Sequence, residues 1–261
     1  MKNLPIFRCL LIVTGCCISL VLSAQDIYLS AYQGAVQTSN VAVGNILRED
    51  IVNEELASRT HSKNTSPGKQ VNIFAALPPA KISSVPVKIT SGKFIPDPAV
   101  TQKVNAMFIT RIAKASPDKK NDIAKIVNGG ALQRDASQRL TNLGLSINNV
   151  VDVTVTYYTV MWQIINEKAA SDKQIIAGYN QLAPGLSRGT FLNGMSDREK
   201  QEVSENMVLV AMLAMTTYQG LVQQHDVKNL RHLKEGINNM LLQQQVDLSS
   251  VRLTDVGWVK K

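Results

Sequence analysis

Six of the chain's nine prolines (Pro67, Pro78, Pro79, Pro86, Pro96 and Pro98) fall within 32 residues, and beyond Pro98 only Pro117 and Pro184 remain. Proline lacks a backbone N–H and its ring clashes with the preceding turn, so it is kept out of helix interiors and central strands. The distribution therefore divides the chain near residue 97. Before that point, 25–96 reads as a Pro-rich, largely extended arm: small polar residues, the turn-rich His61–Lys69 stretch, then Leu77-Pro78-Pro79-Ala80. Within it, 43–57 is expected to form one short helix. Val85, Val87 and Ile89 alternate before a turn at Ser91-Gly92, the pattern of a short edge strand or hairpin.

After residue 97 the punctuation is helical. Asp97-Pro98 and Ser116-Pro117 each place a capping side chain before a proline at the first helical position. Ser171 with Gln174, and Ser196 with Glu199, have capping-box spacing, and Gly129-Gly130 and Gly144 are stops. Helices are predicted at 98–115, 117–128, 131–142, 149–168, 172–182, 197–223 and 227–244. The fold class is all-α, a compact bundle of six to seven helices over 97–261. Two helices should form its centre. In 197–223, Val203, Met207, Val210, Ala211, Ala214, Tyr218, Leu221 and Val222 recur at three and four, and Met207, Met212 and Met215 are read as core. In 149–168, Val151, Val153, Val155 and Tyr157 alternate like a strand, but the run continues to Trp162 and Ile165 without a turn signal, so length decides for a buried helix.

All three cysteines, Cys9, Cys16 and Cys17, lie in the first 24 residues, where Lys2 and Arg8 precede an apolar run ending in Ser23-Ala24. This is the layout of a signal peptide cut after Ala24. The alternative is a lipid anchor, because Val13-Thr14-Gly15-Cys16 resembles the bacterial lipoprotein box. Attachment at Cys16 is the only route to a membrane expected here, and the apolar run is short for a span. A chain starting at Gln25 has 26 basic and 20 acidic residues, a net charge of +6, and no cysteine. It would then carry no disulfide or thiolate chemistry and would rely on its core, which fits the bacterial envelope or exterior.

Leu140, Gly144-Leu145, Asn149-Val150-Val151-Asp152, the aromatic-rich helix to Trp162 and the closing Leu253–Val259 stretch resemble an uncharacterised family of exported bacterial helical domains, a domain of unknown function, over 99–261. The resemblance implies an all-α, exported fold and brings no catalytic residues with it.

Catalytic signatures are sparse. His225 and His232 are seven residues apart, roughly 10 Å along a helix, too far to share a metal unaided. No HExxH, G-x-S-x-G or phosphate-binding glycine loop is present, and no cofactor is expected. Gly185–Gly189 is read as an interhelical loop. Glu199, Glu202 and Glu205 follow a helix cap, where acids favour the dipole. A basic cluster stands out: Arg111, Lys114, Lys119, Lys120, Lys125, Arg134 and Arg139, against Asp118, Asp122 and Asp135. Without interleaved aromatics it does not point to nucleic acid; it fits an anionic partner, another envelope or exported protein. The expectation is a non-enzymatic binding or adaptor module, with a cell-wall hydrolase acting through Glu199 or Glu202 as the alternative.

Overall fold

The computed structural model describes residues 74, 77–79, 83–115, 117, 120–188, 192 and 194–261. The signal peptide expected over 1–24, with the three cysteines, the helix expected at 43–57 and His61 lie outside the described residues.

Among those residues, seven helices precede a two-stranded hairpin: α1 Pro98–Ala115, α2 Lys120–Asn128, α3 Ala131–Asn142, α4 Val150–Asn166, α5 Asp172–Arg188, α6 Asp197–Gln223, α7 Val227–Gln243, then β1 Val251–Thr254 and β2 Gly257–Lys260. Local chemistry explains most boundaries. Asp97 Oδ1 accepts the N–H of Ala99 at 2.8 Å and starts α1. Asn149 accepts the N–H of Val151 and starts α4, while Ser196 and Glu199 form a complete capping box on α6. Ser171 and Gln174 bond reciprocally before α5, and Asp226 accepts from Asn229 N at the start of α7. Each satisfies a first-turn N–H that the helix itself leaves free. Gly130 and Gly144, at φ 66° and 74°, make the left-handed turns that end α2 and α3.

α4 and α6 are the centre. Twelve of the 17 residues of α4 are buried. It packs chiefly against α6 and α5, while α1, α3 and α7 close around α6. Burial on all sides explains why α4 carries two periodicities at once: Val151, Val153, Val155 and Tyr157 are all in the core, so no polar face marks a helical stripe. The same environment broadens the buried face of α6 beyond the predicted one. Val208, Leu209 and Leu213 join Val203, Met207, Val210 and Ala214 in the core, whereas Val222, at the end of α6, is exposed.

Three elements differ from expectation. α5 runs through Pro184 to Arg188, so 185–188 is helix rather than loop. The N–H that Pro184 lacks would have served only the carbonyl of Asn180, and Pro184's own carbonyl accepts from Ser187 Oγ and Arg188 Nε, both at 3.0 Å. The Val85–Ile95 stretch forms no hairpin. It turns at Ser91-Gly92 but pairs only through a single antiparallel bridge, Lys93 with Asn149. The C-terminal hairpin was not foreseen at all. In its register Leu253 faces Trp258, and Gly257 turns the chain at φ 113°. Trp258 stacks edge-on against Trp162, whose Nε1 donates to Val251 O at 3.0 Å, and Gln181 holds both the N–H and the carbonyl of Trp258.

The hairpin lies against α5 where Gly178 leaves no side chain in the way. A Cβ there would sit 2.7 Å from Trp258 Nε1 and 2.8 Å from Leu253 Cδ1. Gly178→Ala is expected to destabilise the domain by about 2 kcal/mol through overpacking. That corresponds to a fall of roughly 4–8 °C in Tm, read by thermal unfolding. An unchanged Tm would show that the hairpin is not packed on α5 as described.

Candidate functional site

The residues before α1 are strapped onto the helical domain by side-chain amides. Asn180, on the buried face of α5, accepts the N–H of Val87 at 2.6 Å through Oδ1 and donates Nδ2 to the carbonyl of Val85 at 2.9 Å. Its neighbour Gln181 donates to Pro78 O at 2.7 Å. Asn149 donates to Ile89 O at 3.0 Å, Val150 N to Gly92 O at 2.9 Å, and Phe94 N to Asn148 O at 3.2 Å. On α6, Asp197 accepts from Ile95 N at 3.0 Å, and Gln201 accepts the N–H of Asp97 at 2.7 Å while donating to its carbonyl at 2.9 Å. Phe74 meets Tyr158 and Trp258 edge-on. Asn149, Asn180, Gln181 and Gln201 are all buried.

These amides escaped the sequence reading. The available signal was polarity in the wrong place: Asn180-Gln181 stands between Tyr179 and Leu182-Ala183, inside the apolar stripe of α5. Buried polar groups at such positions require partners.

Of the seven basic residues singled out, Lys120, Lys125, Arg134 and Arg139 are exposed on the consecutive helices α2 and α3. None of them forms an ion pair among the described residues, although Arg134 also donates to Gly129 O at 2.7 Å. Arg111 is half-buried on α1, and burial lowers its pKa. Lys119 and the side chain of Lys114 lie outside the described residues.

The acids of α6 are engaged structurally. Glu199 completes the capping box, accepting from Ser196 N and Oγ at 2.6 Å each. Glu202 sits between Lys103 at 2.7 Å and Arg198 at 3.1 Å. Partial burial there opposes the charge, but the two cations outweigh it and hold the carboxyl below its usual pKa. A general acid needs the opposite shift. Glu205 accepts from Thr101 Oγ1 and Gln201 Nε2, at 2.7 and 2.8 Å. An open cleft of about 870 Å³ between α1 and α2 is lined by Thr101, Gln102, Asn105, Asn128 and neighbouring apolar residues, with no charged side chain on its wall. His232 Nδ1 lies 3.9 Å from Glu235, and among the described residues no three potential metal ligands come together. No described helix is long and apolar enough to cross a membrane.

A buried carboxylate meets a buried phenol at the start of α4. Asp152, in the first turn of α4, accepts from Tyr179 Oη at 2.7 Å and from Ser146 N at 2.9 Å. Burial raises the Asp152 pKa, more than these two hydrogen bonds and the charge of Lys93 lower it. Burial, reinforced by the bond to Asp152, raises that of Tyr179 too. The pair ties α4 to α5 beneath the strap.

The chain belongs to a family of unknown function (DUF6683), which matches residues 17–259. The match takes in the arm, which the resemblance over 99–261 left outside. No curated protein matches the chain, and no solved structure does.

Because the folded-state pKa of Asp152 is raised, the folded protein binds a proton there that the unfolded chain has released, and stability falls as pH rises through that value. The stability difference between the native chain and Asp152→Asn is therefore expected to be largest near pH 4 and to shrink on going to pH 7, measured by urea unfolding at each pH. A difference independent of pH would mean that Asp152 titrates normally.

Proposed function

We propose that this member of the DUF6683 family is an exported protein whose helical domain is a non-enzymatic binding module for another envelope or exported protein. The observation that carries the reading is the exposed set of cations on α2 and α3 that form no ion pair among the described residues: Lys120, Lys125, Arg134 and Arg139. Lys103, Lys173, Arg198, Lys200 and Lys234 each have a carboxylate partner, and other cations without one among the described residues, such as Arg231 and Arg252, are spread over other elements, whereas these four lie together on two consecutive helices. Cations left without internal partners are available to an acidic surface, where they steer encounter and set register more than they add affinity. The absence of aromatics from the cluster favours a protein over a nucleic acid. Export rests on the leader, Lys2 and Arg8 followed by the apolar run to Ser23-Ala24. The hydrolase alternative loses ground, since Glu199 is committed to a cap and Glu202 is held ionised by two cations.

The test is purification of tagged protein from its native envelope after gentle cross-linking, with mass spectrometry of its N-terminus and of what accompanies it. A start at Gln25 and one stoichiometric protein partner are expected. Reversing the four charges (Lys120→Glu, Lys125→Glu, Arg134→Glu, Arg139→Glu) should slow association with that partner roughly tenfold or more at low salt, with a much smaller effect at high salt. Glycan fragments without a protein partner, or a partner held equally well by the charge-reversed chain, would overturn the reading.

A further inference from the structure

A side-chain amide carries the same donor and acceptor complement as a peptide group, so it can stand in for the neighbouring strand that an extended backbone would otherwise need. The domain uses amides in this way on the strap at Pro78, at Val85 and Val87, at Ile89 and at Asp97. The contacts fall on backbone atoms, not on side chains. Val85, Val87 and Ile95 are 66%, 40% and 80% exposed and add little to the seat. Sequence is read at only a few places. Gly92 is required because a Cβ would lie 2.2 Å from Asn149 Oδ1; Phe94 is buried, and Pro86 packs where Gly144 has no side chain.

We propose that this surface, formed by Asn149, Asn180, Gln181 and Gln201, is a backbone-reading groove for an extended polypeptide. Residues 77–79 and 83–97 fill it in cis, and the same segment of a second copy can fill it in trans. It is a different surface from the basic face of α2 and α3. Within itself, among the described residues, the strap has only short-range turn bonds, Lys93 N to Thr90 O and a Ser83–Val85 turn in which Ser83 Oγ accepts from Val85 N and donates to Val85 O, and otherwise it bonds mainly to the helical domain. It runs into α1 at the exposed Asp97-Pro98 step. Exchange between copies therefore replaces each contact with an identical one, and the covalent connection alone favours the cis form, as in domain swapping. The occupant is this segment because its own side chains match the seat: Gly92 and Phe94 are buried, Pro86 packs at Gly144, and Leu77 and Ile89 pack against the core.

The experiment uses the full chain and a fluorescent synthetic peptide of residues 77–97. Two variants loosen the strap without altering the groove: Gly92→Val, and Val87→Pro, which deletes the N–H that Asn180 accepts. Each loosened chain is expected to bind the peptide saturably. The native chain should bind it at least tenfold more weakly, because a tethered strap competes at millimolar effective concentration. Adding Asn180→Ala to either loosened chain should weaken peptide binding about tenfold, for the loss of two hydrogen bonds. A loosened chain that keeps its helical circular dichroism yet binds no peptide would overturn the proposal, as would an Asn180→Ala change without effect. If both loosened chains fail to fold, the strap is part of the core and not an occupant, which also overturns it. Equal binding of a scrambled peptide would remove the second copy as the partner.

Discussion

Asn149 stands where three parts of the molecule meet. Its side chain caps α4 by accepting from Val151 N, its Nδ2 holds the carbonyl of Ile89, and its backbone bridges Lys93. An N-cap is worth about 1 kcal/mol on an exposed helix. Here the helix being capped is the most buried element of the fold, so a lost cap would leave first-turn N–H groups with no water to take the place of the asparagine. Asp152, one turn later, extends the same junction to the α3–α4 connection through Ser146 and to α5 through Tyr179. The strap, the central helix and α5 thus share one polar node inside an otherwise apolar core.

That node explains how the domain holds an extended segment with almost no sheet. A backbone lying against a helical surface finds no ladder of N–H and C=O groups, because the helices have spent theirs internally. The fold supplies amide side chains instead, and buries them. Each buried amide must be fully satisfied to repay its desolvation, which makes the fit of the strap demanding in geometry while remaining tolerant of the side chains that point outward. Gln181 serves twice, holding Pro78 of the strap and Trp258 of the hairpin, so both ends of the described chain are read from the same turn of α5.

Charge is divided between structural and free roles. The acids at the start of α6 cap the helix, pair with Lys103 and Arg198, or join the Thr101–Gln201 network. The exposed cations of α2 and α3 form no ion pair among the described residues, although Arg134 also donates to Gly129 O, and their helices lie at the side of the bundle, reaching the centre through Ile123, Val127, Leu132, Ala136 and Leu140. A surface charge of this kind contributes little to folding, which leaves it available for recognition.

Features fixed by neighbours in sequence were legible from the start. Asp97-Pro98, Ser171 with Gln174, Ser196 with Glu199 and the glycine turns are contacts over two to four residues, and they placed most helix boundaries to within about two residues. The all-α class followed from the dense caps and glycine stops after residue 97, and the central place of α4 and α6 from their apolar length. What tertiary structure decided are the contacts between distant residues. The hairpin exists because Trp258 is received by Gln181, Trp162 and the space above Gly178. Val85 and Val87 alternate like a strand yet find an asparagine 93 to 95 residues away rather than a partner strand. Helix α5 continues past Pro184, whose carbonyl accepts from Ser187 Oγ and Arg188 Nε. Local hydrogen bonds are written in spacing, whereas a long-range partner is chosen only when packing brings it within bonding distance.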